Sequence, residues 1–87
     1  MNPQTIKAFA IYDAKVKNYT KPEFFMTTEQ AIRAFANSCK QEGSSLGMNP
    51  EDYSYWELGS YDQEKGTLAS LTAPTQIARA TDHVQTP

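Results

Sequence analysis

The 87-residue sequence is poor in the residues from which metal and redox sites are built. Cys39 is its one cysteine and His83 its one histidine, so it can form neither an internal disulfide nor a thiolate or His-rich metal site. No apolar run approaches the roughly 18–20 residues of a membrane span, and the opening MNPQT lacks the basic start and apolar stretch of a signal peptide. These absences predict a cytoplasmic protein with no cofactor and no membrane contact.

The chain also lacks an excess of positive charge. Eight Lys and Arg residues stand against ten Asp and Glu residues, which gives a formal net charge of −2. Proteins that grip the phosphate backbone over a large surface normally show a clear basic excess. The composition therefore argues against strong nonspecific DNA binding, although it permits a local basic patch.

Aromatic residues, by contrast, are plentiful. At 11% of the chain they are too many for a disordered protein, and they predict a real hydrophobic core. A chain of this length has room for one such core. We therefore expect a single domain over residues 1–87, in which the segment 75–87 is an edge strand, a short helix or a tail.

The clearest local pattern is that of one amphipathic helix. Thr27-Thr28-Glu29-Gln30 offers a capping hydroxyl and a Gln three residues later, which together are typical of a capping box. An apolar stripe at helical spacing follows, formed by Ala31, Ile32, Phe35, Ala36 and Cys39. Because Gly43 is well placed to end the helix, the pattern predicts a helix from about Thr28 to Glu42.

Four short segments have the alternating or wholly apolar pattern of strands. They are Thr5–Tyr12, Glu23–Met26, Tyr53–Tyr61 and Thr67–Leu71, the last two joined by a hairpin turn. One helix packed across an antiparallel sheet of about four strands meets the two-layer requirement of a small core. The sequence thus predicts an α+β fold in the order β-β-α-β-β, in which alternation along the third strand turns Trp56 toward the helix.

No group of residues is typical of a catalytic site. Cys39 lies on the buried stripe of the helix, where it fits as a small core residue. His83 is close to the C-terminus, where exposed side chains are common. The paired carboxylates stand at turns, where acidic residues are ordinary: Glu51 with Asp52, and Asp62 with Glu64. We therefore expect no catalytic residues and no enzymatic activity.

A segment that mixes basic and aromatic residues, 15–25, is the first candidate binding site. Proteins that bind single strands combine a cationic groove with rings on which bases stack, each worth about 1–3 kcal/mol. Here Lys15, Lys17 and Lys21 would contact phosphates. Tyr19 would stack against a base, and Arg33 would add charge from the helix. The alternative is a solvated loop whose aromatic residues belong to the core.

The tyrosines of the third strand are the second candidate. Simple alternation places Tyr53, Tyr55 and Tyr61 on one face, opposite Trp56. If no layer covers that face, it is an aromatic patch suited to a protein partner, a second copy or bases. The alternative is that the C-terminal segment covers it.

Several short motifs follow one another in order between about Ile6 and Pro74. They are Ile11-Tyr12-Asp13 with a nearby lysine, Phe24-Phe25, Ala31-Ile32-Arg33-Ala34-Phe35, Pro50-Glu51-Asp52-Tyr53, Leu58-Gly59 with Tyr61-Asp62 and Gly66, and Ala73-Pro74. Their order and spacing resemble the small non-structural protein of gokushovirus-type microviruses, which are single-stranded DNA phages. The resemblance implies a protein that is absent from the finished particle and that binds DNA, or acts where genome synthesis and packaging meet, in the cytoplasm of the bacterial host. The site residues named above rest on charge and aromatic pattern alone.

Two functions are compatible with these patterns. The first is a phage accessory protein that acts in viral DNA replication or genome packaging by weak single-stranded DNA binding. A homodimer would help it, because two weak patches joined in one particle gain from effective concentration. The alternative is a module that binds a phage or host protein through the tyrosine face and makes no contact with DNA.

Overall fold

The computed structural model describes residues 4–84, so the first three residues and the end of the predicted C-terminal segment, 85–87, lie outside the described residues. In chain order the elements are strands β1 (Thr5–Asp13), β2 (Asn18–Tyr19) and β3 (Glu23–Phe25), helices α1 (Thr28–Lys40) and α2 (Ser45–Met48), and strands β4 (Tyr53–Asp62) and β5 (Thr67–Arg79). Short 3-10 turns occupy Pro50–Asp52 and Ala80–Asp82. The predicted α+β class and element order are confirmed, with β2 as an addition.

All strands pair antiparallel in one sheet of order β2-β1-β4-β5, and β3 also pairs with β1. Strand β5 continues past Pro74, so the described part of the uncertain C-terminal segment begins as an edge strand. The proline is tolerated there because residues 71–74 form a wide bulge between the pairs Glu57–Thr75 and Gly59–Ser70.

Helix α1 begins where the capping pattern predicts. The Thr27 hydroxyl accepts a hydrogen bond from the backbone N–H of Gln30 at 3.1 Å, and the Gln30 side chain accepts from the N–H of Met26 at 3.2 Å. The helix ends at Lys40, slightly earlier than predicted, and the short helix α2 follows it.

The core lies between α1 and one face of the sheet, here called the helix side. The ring of Phe35 stacks on that of Tyr55 with centroids 4.7 Å apart, and Phe9 stacks on the same tyrosine at 5.7 Å. Tyr55 is only 2% exposed. Since neighbouring residues of a strand point to opposite faces, Trp56 must point away from the helix. The prediction that Trp56 faces the helix is therefore wrong.

The prediction that the three tyrosines of this strand share one face is also wrong, because β4 contains a bulge. Ala8 pairs with Gly59 and Phe9 with Glu57, so Leu58 is an extra residue without a partner in β1. An extra residue reverses the alternation beyond it. Tyr61 consequently lies on the face away from the helix, whereas Tyr53 and Tyr55 stay on the helix side.

Candidate functional site

The face of the sheet away from α1, here called the open face, is the candidate site. Residues paired across antiparallel strands point to the same face, so the strand register defines its members. They are Ile6, Ala8, Ala10 and Tyr12 of β1, Tyr19 of β2, Phe24 of β3, Ser54, Trp56, Gly59 and Tyr61 of β4, and Leu68, Ser70, Gln76 and Arg79 of β5. Among the described residues, α1 and Leu46 of α2 both pack against the core on the helix side.

One end of the open face carries three aromatic rings in contact. The Tyr12 and Tyr19 centroids are 4.8 Å apart, and Tyr19 meets Trp56 edge-on at 6.3 Å. The indole N–H of Trp56 donates a 2.7 Å hydrogen bond to the Ser54 hydroxyl, which fixes the orientation of the ring. Tyr19 is 43% exposed, so the cluster offers aromatic surface to solvent.

A second aromatic pair lies farther along the same face. The rings of Phe24 and Tyr61 are 5.9 Å apart, and Phe24 is 41% exposed. Ala10 pairs with Trp56 of the first cluster and Ala8 with Phe24 of the second pair. Since a strand rises about 3.4 Å per residue, these two facing rows are roughly 7 Å apart along β1.

The charges of the sheet are divided between its two faces. The strand carboxylates pair with helix-side residues: Asp13 with Tyr53, Glu23 and Glu57 with Phe9, and Asp62 with Thr5. The Lys7 ammonium lies on that side too, 4.0 Å from Glu57. Of the described strand residues, those of the open face therefore include no carboxylate. The strand residues of this surface add no negative charge to it, even though the whole chain has a net charge of −2. One carboxylate from outside the strands, that of Asp82, lies 3.4 Å from Arg79.

Two of the predicted lysines lie in the turn that joins β1 to β2, next to the first aromatic cluster. The Asp13 carboxylate accepts a 2.9 Å hydrogen bond from the N–H of Lys15, and the Asp13 carbonyl accepts one from the N–H of Lys17 at 2.8 Å. Lys17 adopts a left-handed conformation, with φ of 59°. Both lysines are exposed. The turn thus places two free cationic side chains beside the strand that carries Tyr19.

The other two predicted cations lie elsewhere. Lys21 lines a depression at the sheet edge together with Ile11, a residue packed against the helix-side core. Arg33 is exposed on α1, on the opposite side of the sheet from Tyr19. The structure therefore brings Lys15, Lys17 and Tyr19 together but does not place Arg33 with them.

Sequence reasoning missed three residues of this surface: Tyr12, Trp56 and Arg79. Ser54 pairs with both Tyr12 and Arg79, which puts the arginine in the same cross-strand row as the first aromatic cluster. Its guanidinium is 3.4 Å from Asp82 in an exposed ion pair. The period-two pattern of β1 is the signal that could have found Tyr12. No local signal marks Arg79, because only the pairing of β5 brings it to this row.

The predicted partner-binding tyrosines do not form one surface. Burial, with a smaller contribution from the charge of Glu23, raises the pKa of Tyr55 to about 12. Tyr53 packs against the same core, and Tyr61 lies on the open face. Cys39 is also in the core, where burial raises the pKa of its thiol despite the nearby Lys40. A partner can thus reach Tyr61 but not Tyr55.

Within residues 4–84, no three or more His, Cys, Asp or Glu side chains are grouped so that they could hold a metal ion. The same part of the chain contains no helix that is long and apolar enough to cross a membrane.

Fold and surface together define a small two-layer α+β protein with one aromatic sheet face, whose described strand residues include no carboxylate. The chain belongs to the family described as Phage ORF5 protein, whose model matches residues 6–83. It is therefore a bacteriophage protein, and the phage origin implied by the sequence motifs is confirmed. Neither the curated proteins nor the solved structures include a match to it.

Proposed function

We propose that this phage protein is a non-structural accessory protein that binds single-stranded DNA on its open face. It would act without catalysis, in genome replication or packaging in the cytoplasm of the bacterial host. The observation that carries the proposal is the division of charge across the sheet. The face with the exposed aromatic rings holds no strand carboxylate among the described residues, while the acidic residues of the strands lie on the helix side.

Single strands suit this surface better than duplex because the faces of their bases are accessible. Stacking of a base on an aromatic side chain is worth about 1–3 kcal/mol and depends little on sequence. Tyr19, Trp56 and Phe24 offer rings in two clusters for such stacking. In a duplex the same base faces are covered by neighbouring base pairs. We therefore expect single-stranded oligonucleotides of any sequence to bind, and matched duplex to bind less.

The electrostatic contribution to DNA binding should be small, and the number of phosphate contacts determines its size. Lys15 and Lys17 lie in the turn beside the first aromatic cluster, and Arg79, which is paired with Asp82, lies on the open face itself. For single strands the logarithm of the binding constant falls by about 0.7 per neutralised phosphate for each tenfold rise in salt. Two or three such contacts predict a loss of about 7- to 18-fold between 50 and 200 mM salt.

The test is a fluorescence anisotropy titration of a labelled single-stranded oligonucleotide at those two salt concentrations, with matched duplex as control. The double variant Lys15→Gln/Lys17→Gln should weaken binding and flatten the salt dependence. A matched double variant, Arg33→Gln/Lys40→Gln, removes two charges from exposed positions of α1 and should bind as the wild type does. A flat titration at both salts, or equal losses in the two variants, would refute the proposal.

Protein binding is the competing role, and exposed apolar side chains on the same face favour it. Leu68 is 73% exposed and Phe24 41%. The tyrosine face first predicted for this role is not available, since Tyr55 is buried. A protein partner on the open face would bind with little dependence on salt, and its binding would survive the Lys15→Gln/Lys17→Gln change. Protein binding would be favoured if a partner bound with little salt dependence to both the wild type and the Lys15→Gln/Lys17→Gln variant, and if no DNA binding was detected.

A further inference from the structure

Aromatic rings follow the central strand β1 along the open face. The strand register divides this face into four cross-strand rows, each of which passes through one residue of β1. Every row contains at least one ring: Tyr12 and Tyr19 in the first, Trp56 in the second, Phe24 in the third and Tyr61 in the fourth. Strand β5 contributes none. The rings therefore form a line parallel to β1 rather than one that crosses the sheet.

The small residues of β1 are buried beneath this line. Ala8 and Ala10 point to the open face, yet only 7% and 2% of their surface is exposed. Helices α1 and α2 pack on the other side of the sheet, so among the described elements they do not cover these alanines. The rings, which are the largest neighbouring side chains, lie over them. The line of rings is thus a continuous platform on which successive bases can stack.

Each end of the line of rings adjoins a hairpin turn of the same construction. The turn between β1 and β2 carries the exposed Lys15 and Lys17. In the turn between β4 and β5 the Asp62 carboxylate likewise accepts a 3.0 Å hydrogen bond from the N–H two residues farther on. The Asp62 carbonyl accepts one of 2.7 Å from the N–H of Gly66. This second turn carries Lys65, which is also exposed.

The charges around Lys65 leave its ammonium available to a phosphate. The Asp62 carboxylate belongs to the helix side and is held within the turn, where it also accepts from the backbone N–H of Lys65 at 3.1 Å. Glu64 is exposed, and in the described part of the chain it forms no ion pair with Lys65. Arg79, by contrast, lies beside the line of rings on β5 and is paired with Asp82.

We infer, building on the proposed function, that the single strand runs along β1 between the two turns and that Lys65 binds a phosphate at the far end. The first and fourth rows are six residues of β1 apart, which is roughly 20 Å. At about 3.4 Å per stacked nucleotide, about six nucleotides fill that length, and about eight or more reach both turns. The preferred ligand is therefore a single strand of at least that length.

Isothermal titration calorimetry with oligothymidylates of about four and about ten nucleotides, lengths below and above that span, tests this path. For the longer strand, Lys65→Gln removes one phosphate contact, so its loss of affinity between about 50 and 200 mM salt should be about 2.6-fold smaller than that of the wild type. The shorter strand reaches only one turn and is held at the one with two lysines. Lys65→Gln should therefore leave its affinity unchanged. Lys40→Gln removes the same charge from an exposed position of α1 and should bind both strands as the wild type does.

A second variant tests the line of rings without changing any charge. Phe24→Leu removes the ring of the third row and keeps an apolar side chain, so circular dichroism should match that of the wild type. Binding of the longer strand should weaken by about fivefold or more, because one stacked base is lost. Binding of the shorter strand, which is held at the first rows, should not change.

Three results would overturn the inference. Equal salt dependence of the wild type and Lys65→Gln with the longer strand would remove Lys65 from the site and leave the proposed function in place. A loss of affinity in Arg79→Gln, with none in Lys65→Gln or Phe24→Leu, would show that the strand crosses the sheet toward β5. A wild type that binds neither strand would refute the proposed function and the path together.

Discussion

Truncation of two neighbouring residues of β4 should lower the stability of the protein to very different extents. Tyr55 is 2% exposed and stacked between Phe35 and Phe9, whereas Trp56 lies on the open face. Removing a buried aromatic side chain costs about 3–5 kcal/mol, because both its burial and its packing are lost. At about 0.05–0.15 kcal/mol per residue, the whole domain has roughly 4–13 kcal/mol of stability. Tyr55→Ala should therefore remove roughly a quarter of it or more.

Trp56→Ala should cost about 1–2 kcal/mol, since that side chain is only partly buried. Urea unfolding followed by circular dichroism measures both changes. With a slope of about 1.5 kcal/mol per molar urea, Tyr55→Ala lowers the midpoint by about 2 M or more. Tyr55→Phe keeps the stacked ring and is the control, with a midpoint close to that of the wild type. If Trp56→Ala proves more destabilising than Tyr55→Ala, the assignment of the two faces is wrong.

Other consequences of the structure can be checked in the same way. Gly59→Ala should destabilise the protein by about 1–3 kcal/mol in urea unfolding, because a Cβ there would collide with the Ala69 carbonyl oxygen. Unchanged stability would contradict that close approach. The pKa of Tyr55 is raised to about 12 in the folded protein, whereas an unfolded tyrosine ionises near pH 10. The stability that the neutral Tyr55 side chain contributes is therefore complete below pH 10. Between pH 10 and pH 12 it falls by about 1.4 kcal/mol per pH unit. Tyr55→Phe should lack that part of the alkaline loss, and an identical pH profile would count against the buried position. The Cys39 thiol should react with a thiol reagent only after denaturant is added, and rapid labelling of the native protein would contradict its 2% exposure.

The helix and the strands could be predicted because their signals are local. The capping hydroxyl of Thr27 and the stripe that includes Ala31, Phe35 and Cys39 lie within the helix itself. The strands have short-range alternation, and the hairpin between β4 and β5 has its own turn residues. These elements were enough to predict the α+β class, because the apolar stripe of a single helix is buried by packing on one face of the sheet.

The faces of the sheet could not be predicted, because they depend on pairing between distant strands. The extra residue Leu58 is defined only by its missing partner in β1. This extra residue places Tyr61 and Tyr55 on opposite faces of the sheet, although simple alternation within β4 predicts the same face for both. The placement of the strand carboxylates on the helix side likewise depends on the register of three strands, β1, β3 and β4. For the same reason the predicted cluster included Arg33, which α1 carries to the other side, and omitted Arg79.

Fluorescence of Trp56 during titration with an unlabelled single-stranded oligonucleotide tests the proposed role of the open face most directly. Trp56 is the one tryptophan of the chain, so its signal reports on this surface alone. Bases that stack on the first aromatic cluster should quench it saturably, and Tyr19→Ala should weaken the quenching while Arg33→Gln leaves it unchanged. An oligonucleotide that binds by anisotropy but leaves the fluorescence of Trp56 unaltered would show that DNA binds elsewhere and would contradict the proposal.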